Sequence, residues 1–408
     1  EAFMLESAAL PTNDANITSG DIPMPVWFFV SEMNENHQAV LEYWNDANKV
    51  GDAVLSDNMA TGIYMAVPNS IDNLLNDQAF LAQTRFTVAE DPEANDQQRA
   101  RAVWDFLSDI VRPVSYANQT LRPDRTAEEW GMVKRTIEID GVNRYWLEFV
   151  PEQLAQTEDG KAPLLVVLHG GNQLPEPFMA DTDVIKLANS RGLIAIVPAG
   201  SPNPRDNRMP APTWNIMEDE GMLDDYAFIR AAVEDTINRL PIDTSRVYVT
   251  GLSMGSVGSQ AFALRMGDIF AACATGSGML MNTWSSLFDS EKVQDQYIMP
   301  VYVINGSQES GTGFEDESYQ TIYANWLAFN GLEADTKAAL TGYNRVGKYN
   351  IWTYANEKGI PLVQYGLGDG RVHALVLEDL YLLYDGFLSK YSRGEDGTLY
   401  YLGEAVAK

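Results

Sequence analysis

The C-terminal two-thirds of this chain carry an alternation that few folds accommodate. From about residue 130, short β-branched apolar runs alternate with amphipathic stretches of helical period. The runs Leu164–Leu168, Leu193–Val197, Val247–Thr250, Val301–Ile304 and Ile360–Gln364 are too short for helices and show no polar face. They read as strands covered on both sides. Asp224–Arg239 and Gly255–Met266 read as helices between them. Strand alternating with helix demands right-handed crossovers, so the expected class is α/β, a mostly parallel sheet flanked by helices. Ahead of it, Val133–Ile139 and Arg144–Val150 flank Asp140-Gly141, a hairpin signal.

Within that alternation one junction carries chemistry. The strand Val247-Tyr248-Val249-Thr250 runs into Gly251-Leu252-Ser253-Met254-Gly255 and then into a helical stretch. A Gly-x-Ser-x-Gly turn between strand and helix puts the serine on a tight, exposed bend and aims the helix N-terminus at a developing oxyanion. Ser253 is therefore the expected nucleophile. A glycine-rich turn with Ser253 as a helix cap is the structural alternative. The strand ending at Leu168 leads into His169-Gly170-Gly171-Asn172, whose backbone can approach a substrate. The expected oxyanion donors are the N–H of Met254 and that of Gly171 or Asn172.

Three histidines bound the search for a base: His37, His169 and His373. His373 follows the last strand in a loop with Gly366, Gly368, Asp369 and Gly370, and it comes after the serine, as the chain order Ser…acid…His requires. His169 either holds its own loop or lines the substrate site, and His37 reads as a surface residue. The acid must lie between Ser253 and His373. Glu309, just past Val301–Ile304, is the first choice, with Glu315, Asp316, Glu317 and Asp335 as rivals. Trp214, Met254 and Trp284 are candidates for an apolar cleft wall, with core packing the alternative for each tryptophan.

Composition narrows the partners. Asp and Glu number 57 against 28 Lys and Arg, a net charge of −29, which disfavours nucleic acids and anionic membranes. With Cys273 as the single cysteine, an intramolecular disulfide and a CxxC zinc site are both excluded. No apolar run reaches the roughly 18 residues of a membrane span. The chain starts at Glu1 rather than Met, so a secreted product with its signal peptide removed is expected.

The first 115 residues hold a fainter pattern. Met24-Pro25-Val26-Trp27 resembles Met299-Pro300-Val301-Tyr302, Trp44 to Asn48 resembles Trp326 to Asn330, and Phe106-Leu107-Ser108 resembles Phe387-Leu388-Ser389. The offsets, 275, 282 and 281, are nearly constant. Residues 1–115 are expected to be a degenerate, non-catalytic half-copy of the later domain's second half, 116–129 a linker and 130–408 the catalytic domain. The copy has no serine motif, and no histidine near Asp91-Pro92-Glu93. A lone half-sheet exposes an edge, so it is expected to pack on its neighbour or to mediate homo-oligomers.

Residues 130–395 resemble the polyhydroxybutyrate-depolymerase and feruloyl-esterase branch of the α/β-hydrolases. The resemblance rests on the opening hairpin, Pro163 through His169-Gly170-Gly171, Val197-Pro198 followed by Trp214, Asp224 to Ile229, Ile242 to Tyr248 and the serine turn. It implies a serine esterase, without cofactor, acting on polyesters or on feruloyl or acetyl esters of polysaccharides. Ser253 would be nucleophile, His373 base, and an acid after the fifth strand its partner. The sequence departs from the pattern in having Glu309 where aspartate is usual, and Asn172 where a cysteine often stands. Two other classes compete: a prolyl-oligopeptidase-like serine peptidase, for which no propeller repeat is visible, and a non-catalytic binding protein on a hydrolase scaffold.

Overall fold

A computed structural model of the chain describes residues 3–6, 24–55, 61–64, 82–91, 97–108, 110–111, 122–123, 125–151, 154, 160–202, 212–278, 282–309, 317–333 and 343–407. The chain divides into two compact units, Glu1–Arg125 and Thr126–Lys408. Of the expected linker, residues 116–121 and 124 lie outside the described residues, and Thr126 already opens the second unit. No helix among the described residues is long and apolar enough to cross a membrane.

The first unit contains β1 (Phe3–Glu6), β2 (Val26–Val30), α1 (Glu35–Asn48), β3 (Ala53–Leu55), β4 (Thr61–Tyr64), β5 (Thr84–Val88) and α2 (Gln97–Ser108). The strands form one sheet in the order β1-β2-β5-β4-β3. β1, β2 and β5 run parallel, and the β4–β3 hairpin returns antiparallel. Its small core gathers Val26, Phe28, Val30, Leu41 and Phe86.

The second unit opens with the expected hairpin, β6 (Val133–Ile139) and β7 (Val142–Phe149). Asp140 and Gly141 both have positive φ, 51° and 76°, as a two-residue turn matched to strand twist requires. Then follow β8 (Ala162–Leu168), α3 (Pro175–Thr182), α4 (Val184–Arg191), β9 (Ile194–Pro198), α5 (Asp225–Arg239), β10 (Ile242–Gly251), α6 (Met254–Arg265), β11 (Ala272–Gly276) and β12 (Val301–Gly306). The series closes with α7 (Glu317–Phe329), β13 (Tyr343–Val346), β14 (Tyr349–Ala355), β15 (Pro361–Gly368) and α8 (Leu377–Gly386).

These strands make a ten-stranded sheet in the order β13-β14-β15-β12-β11-β10-β8-β9-β7-β6. The six strands from β15 to β9 are parallel, and the two edges are antiparallel hairpins. This is the α/β class that the strand–helix alternation called for, and the α/β-hydrolase fold that the resemblance implied. β8, β9, β11 and β12 are buried along their whole length because apolar layers cover both sheet faces. One layer brings Phe228, Phe262 and Trp326 from α5, α6 and α7; the other brings Phe178, Leu187 and Leu383 from α3, α4 and α8. Cys273 lies wholly inside, in β11.

The sequence reading set no bounds for β11, the strand after the serine helix, and missed the β13–β14 hairpin. β11 is small-residue rich, Ala-Cys-Ala-Thr-Gly, and lacks the β-branched signature. The hairpin completes a likeness with the first unit. β11-β12-β15-β14-β13 has the strand order and directions of β1-β2-β5-β4-β3. A side-chain clamp recurs as well. Buried Asn330 accepts from the Met299 N–H at 3.0 Å and donates to its carbonyl at 3.0 Å. Buried Asn48 does the same to Met24, at 2.8 and 2.7 Å.

Candidate active site

The carboxyl ends of parallel strands are where such sheets place reacting groups, because the loops there are free of the ladder. At the end of β10 the chain makes the bend expected of Gly251 to Gly255. Ser253 has φ 56° and ψ −118°, a conformation that costs a non-glycine residue about 1–3 kcal/mol. Its neighbours hold it there: Leu252 N–H donates to the Leu168 carbonyl at 3.1 Å and Ser253 N–H to that of Gly276 at 3.2 Å. The flanking glycines are steric necessities. A Cβ on Gly255 would come within 2.1 Å of the Leu168 carbonyl oxygen, and one on Gly251 within 2.5 Å of Gly255.

Met254 begins α6, so its N–H is a first-turn amide without an acceptor inside the helix. A Cβ on Gly171 would meet the Met254 side chain at 3.3 Å, so the two residues expected to donate to an oxyanion lie side by side. Asn172 is a correction. Its N–H is committed to the Pro212 carbonyl at 2.8 Å, and its φ of 63° turns the loop away into that contact. Of the two alternatives, Gly171 keeps the role.

His169 and Trp214 do not line the substrate site, which is a second correction. His169 is fully buried and its Nε2 accepts from the Gly200 N–H at 2.9 Å while Nδ1 faces the Gly170 carbonyl at 2.7 Å. That pair of partners fits the neutral Nδ1–H tautomer alone, since a proton on Nε2 would face another N–H. Burial pushes its pKa down to about 4, against a smaller opposing effect of the Gly170 carbonyl. Trp214 is likewise buried, stacks on His169 with ring centres 4.9 Å apart, and donates from Nε1 to the His169 carbonyl at 2.8 Å. Both residues hold the oxyanion loop from beneath. The side chain of Trp284 lies outside the described residues, as do Glu315, Asp316 and Asp335 and the side chain of Glu317.

Glu309 and His373 meet. The two loops that follow β12 and β15 bring His373 Nδ1 to 2.7 Å from Glu309 Oε2. Glu309 sits at the end of a tight turn, its own N–H donating to the Gly306 carbonyl, so the longer glutamate side chain folds back toward the strand end. Its other oxygen, Oε1, accepts from the Gly306 N–H at 2.6 Å and from the Ser277 hydroxyl at 2.9 Å. Burial by itself would raise the pKa of this carboxyl. The bonds from His373, Gly306 and Ser277 outweigh it and hold the group below the usual carboxylate range. His373 is half-exposed, so a substrate can reach its free Nε2.

Ser253 connects to this pair through one intervening segment. Gly276, which accepts from the Ser253 N–H, is followed by Ser277, which bonds Glu309. No direct bond joins Ser253 Oγ to His373 among the described residues; in unliganded enzymes such bonds are often formed only with substrate bound. The sequence reading did not find Ser277 or Arg371, another partner of Glu309 at 3.3 Å. Ser277 has φ 56° and stands between Gly276 and Gly278, a turn signal that the sequence reading passed over. Among the described residues no cluster of three His, Cys, Asp or Glu side chains is arranged to hold a metal ion.

Comparison with known proteins finds similar esterases. Residues 149–306 match the family described as Esterase PHB depolymerase. The chain is 25% identical over 248 residues to the bifunctional acetylxylan esterase/xylanase XynS20E of Neocallimastix patriciarum, covering 60% of this chain and 33% of that one. It is 30% identical over 236 residues to feruloyl esterase B of Talaromyces stipitatus, covering 54% of this chain and 63% of that one. The chain thus spans about a third of the length of the first curated relatives it matches. Among solved structures, an acetyl xylan esterase from Aspergillus awamori superposes with a TM-score of 0.44 at 17% identity, over 62% of this chain and 99% of that one. The matched segment runs from the end of β7 to the end of β12 and contains the glycine loop after β8 and the serine bend.

Proposed function

We propose that residues 126–408 are a serine esterase that hydrolyses carboxylic esters through an acyl-enzyme. The observation that carries this reading is the 2.7 Å bond between His373 and Glu309, made at the same sheet edge as the strained Ser253 bend. Glu309 accepts from Nδ1–H and so leaves the Nε2 lone pair as the proton acceptor. His373 takes the Ser253 proton as Oγ attacks the ester carbonyl, and the Met254 and Gly171 N–H groups receive the oxyanion. The imidazolium then protonates the leaving alcohol. Water, deprotonated by the same imidazole, releases the acid.

The substrate class proposed is a feruloyl or acetyl ester of a polysaccharide, or a polyester, acted on outside the cell. The named relatives, an acetylxylan esterase and feruloyl esterases, support the first. The test is a side-by-side assay of methyl ferulate, acetylated xylan and a short-chain polyester with the intact chain and its Ser253→Ala variant. Turnover of at least one by the intact chain and of none by the variant is expected. Undiminished turnover by the variant would overturn the assignment.

We further propose that residues 1–115 are a non-catalytic half-copy of the β11–α8 region. The shared strand order and the paired asparagine clamps support this. Removal of the segment should leave hydrolysis of a small soluble ester unchanged and alter only solubility, assembly or action on polymer.

A further inference from the structure

The mechanism above gives no duty to Arg371, whose side chain is only 4% exposed. Its guanidinium runs between the two loops that carry Glu309 and His373. Nε and Nη2 fork onto the Asp379 carboxylate at 2.8 to 3.0 Å. Nη1 donates to Ser277 Oγ at 2.8 Å and to Glu309 Oε1 at 3.3 Å, and Nη2 donates to the Ala374 carbonyl, one residue past the base. The backbone repeats the link, because the Arg371 carbonyl accepts from the Gln308 N–H at 3.0 Å. It lies so close to Gly306 that a Cβ there would come within 2.0 Å of it. Asp379 is fully buried and is fixed in turn by the Val376 N–H at 3.0 Å and by the Tyr349 hydroxyl.

We propose that Arg371, anchored on Asp379, is a positioning residue for the acid–base pair: it sets Glu309 beneath His373 and places a positive charge beside that carboxylate, in addition to the bonds from His373, Gly306 and Ser277. The proposal rests on the esterase reading of the same site. A buried carboxylate without a nearby cation favours its neutral form, and a neutral Glu309 would no longer fix the imidazole tautomer. A planar fork suits this place, since one group must reach Asp379, Ser277, Glu309 and a carbonyl together. Among the described residues, the other charged groups on the surrounding elements are the exposed pairs Lys348–Glu378 and Arg345–Asp369.

The test compares the intact chain with Arg371→Met/Asp379→Asn, which removes both charges and strands neither, and with Arg371→Lys. The readouts are melting temperature, the pH profile of kcat/KM on a soluble ester, and titration of the His373 imidazole by NMR. Loss of the cation should raise the proton affinity of the Glu309–His373 pair. The double variant should therefore move the acid limb and the imidazole titration upward by about 0.5–1 pH unit, with kcat about 10- to 100-fold lower. Arg371→Lys keeps the charge without the fork, so kcat should fall while the titration stays near that of the intact chain. A folded double variant with unchanged kcat and unchanged titration would overturn the proposal. If the double variant does not fold, the lysine variant decides, and an unchanged kcat there overturns it. A shifted titration in a chain that hydrolyses no ester would retain the role of Arg371 and sink the esterase reading instead.

Discussion

The five strands β1-β2-β5-β4-β3 and the five strands β11-β12-β15-β14-β13 are laid out alike, yet the loops of the second set join a glutamate to a histidine and those of the first do not among the described residues. In both, a methionine ahead of the second strand is clamped by an asparagine at the end of the helix region that follows. The differences lie in the loops. The register that aligns Val26 with Val301 puts Asn34 where Glu309 stands. Asn34 caps α1, accepting from the His37 N–H at 3.0 Å, and holds no imidazole ring. After β5 the sequence Ala89 to Asp96 offers neither a histidine nor an arginine. A strand order can thus persist on packing and backbone bonds alone. The acid, the base and the arginine that braces them form one interdependent set, and all three are missing together.

The contrast can be broken or sharpened by substitution. The largest effect is expected at Ser253→Ala, a loss in kcat on the order of 10⁶-fold with an unchanged melting temperature. No single substitution in the first unit should lower soluble-ester turnover comparably. Glu309→Gln should cost about 10⁴-fold in kcat, because the amide selects the wrong tautomer. Asn34→Ala, at the corresponding place, should leave kcat unaltered and weaken the first unit by about 1 kcal/mol through loss of the cap.

Acid should act on the hydrolase unit through His169. Its pKa is about 4 in the folded chain against 6.5 for a free imidazole. The unfolded chain therefore binds the extra proton first. Stability from this residue is complete above pH 6.5 and is lost as pH falls toward 4. The loss amounts to about 3 kcal/mol, measurable by urea unfolding at a series of pH values. Glu309, with its pKa held down, adds a further loss only below the ordinary carboxylate range. The paired asparagines give the most pointed test of the comparison. Asn48→Ala and Asn330→Ala should each cost about 2 kcal/mol by leaving buried backbone groups unpaired. A large cost in one unit and none in the other would break the equivalence of the two clamps.

Much of this was legible in the chain itself, and the gaps have physical causes. Continuous β-branched runs announced the buried strands, and the glycines around Ser253 announced a bend that only glycine permits at those close approaches. His373 followed from there being three histidines and a required order. Glu309 was one of several acids in its loop, and its turning back onto the strand end is a property of the fold that no local sequence signal carries. Trp214 and His169 were ambiguous because a buried brace and a cleft wall call for the same residue types. The link between Ser277 and Arg371 was invisible, since their bond joins residues 94 positions apart. Gly276 and Gly278 mark a turn at Ser277, but nothing local marks its partner Arg371.

Cys273 has a practical consequence. It is the one thiol in the chain, is sealed within the middle of the ten-stranded sheet, and burial pushes its pKa up so that almost no thiolate forms. Maleimides and disulfide reagents should therefore ignore the native protein. A cysteine introduced on the surface can then be labelled alone, without first deleting the natural one. In the unsubstituted chain, the rate at which Cys273 becomes alkylated becomes a clock for the opening of β11, the strand beside the nucleophile.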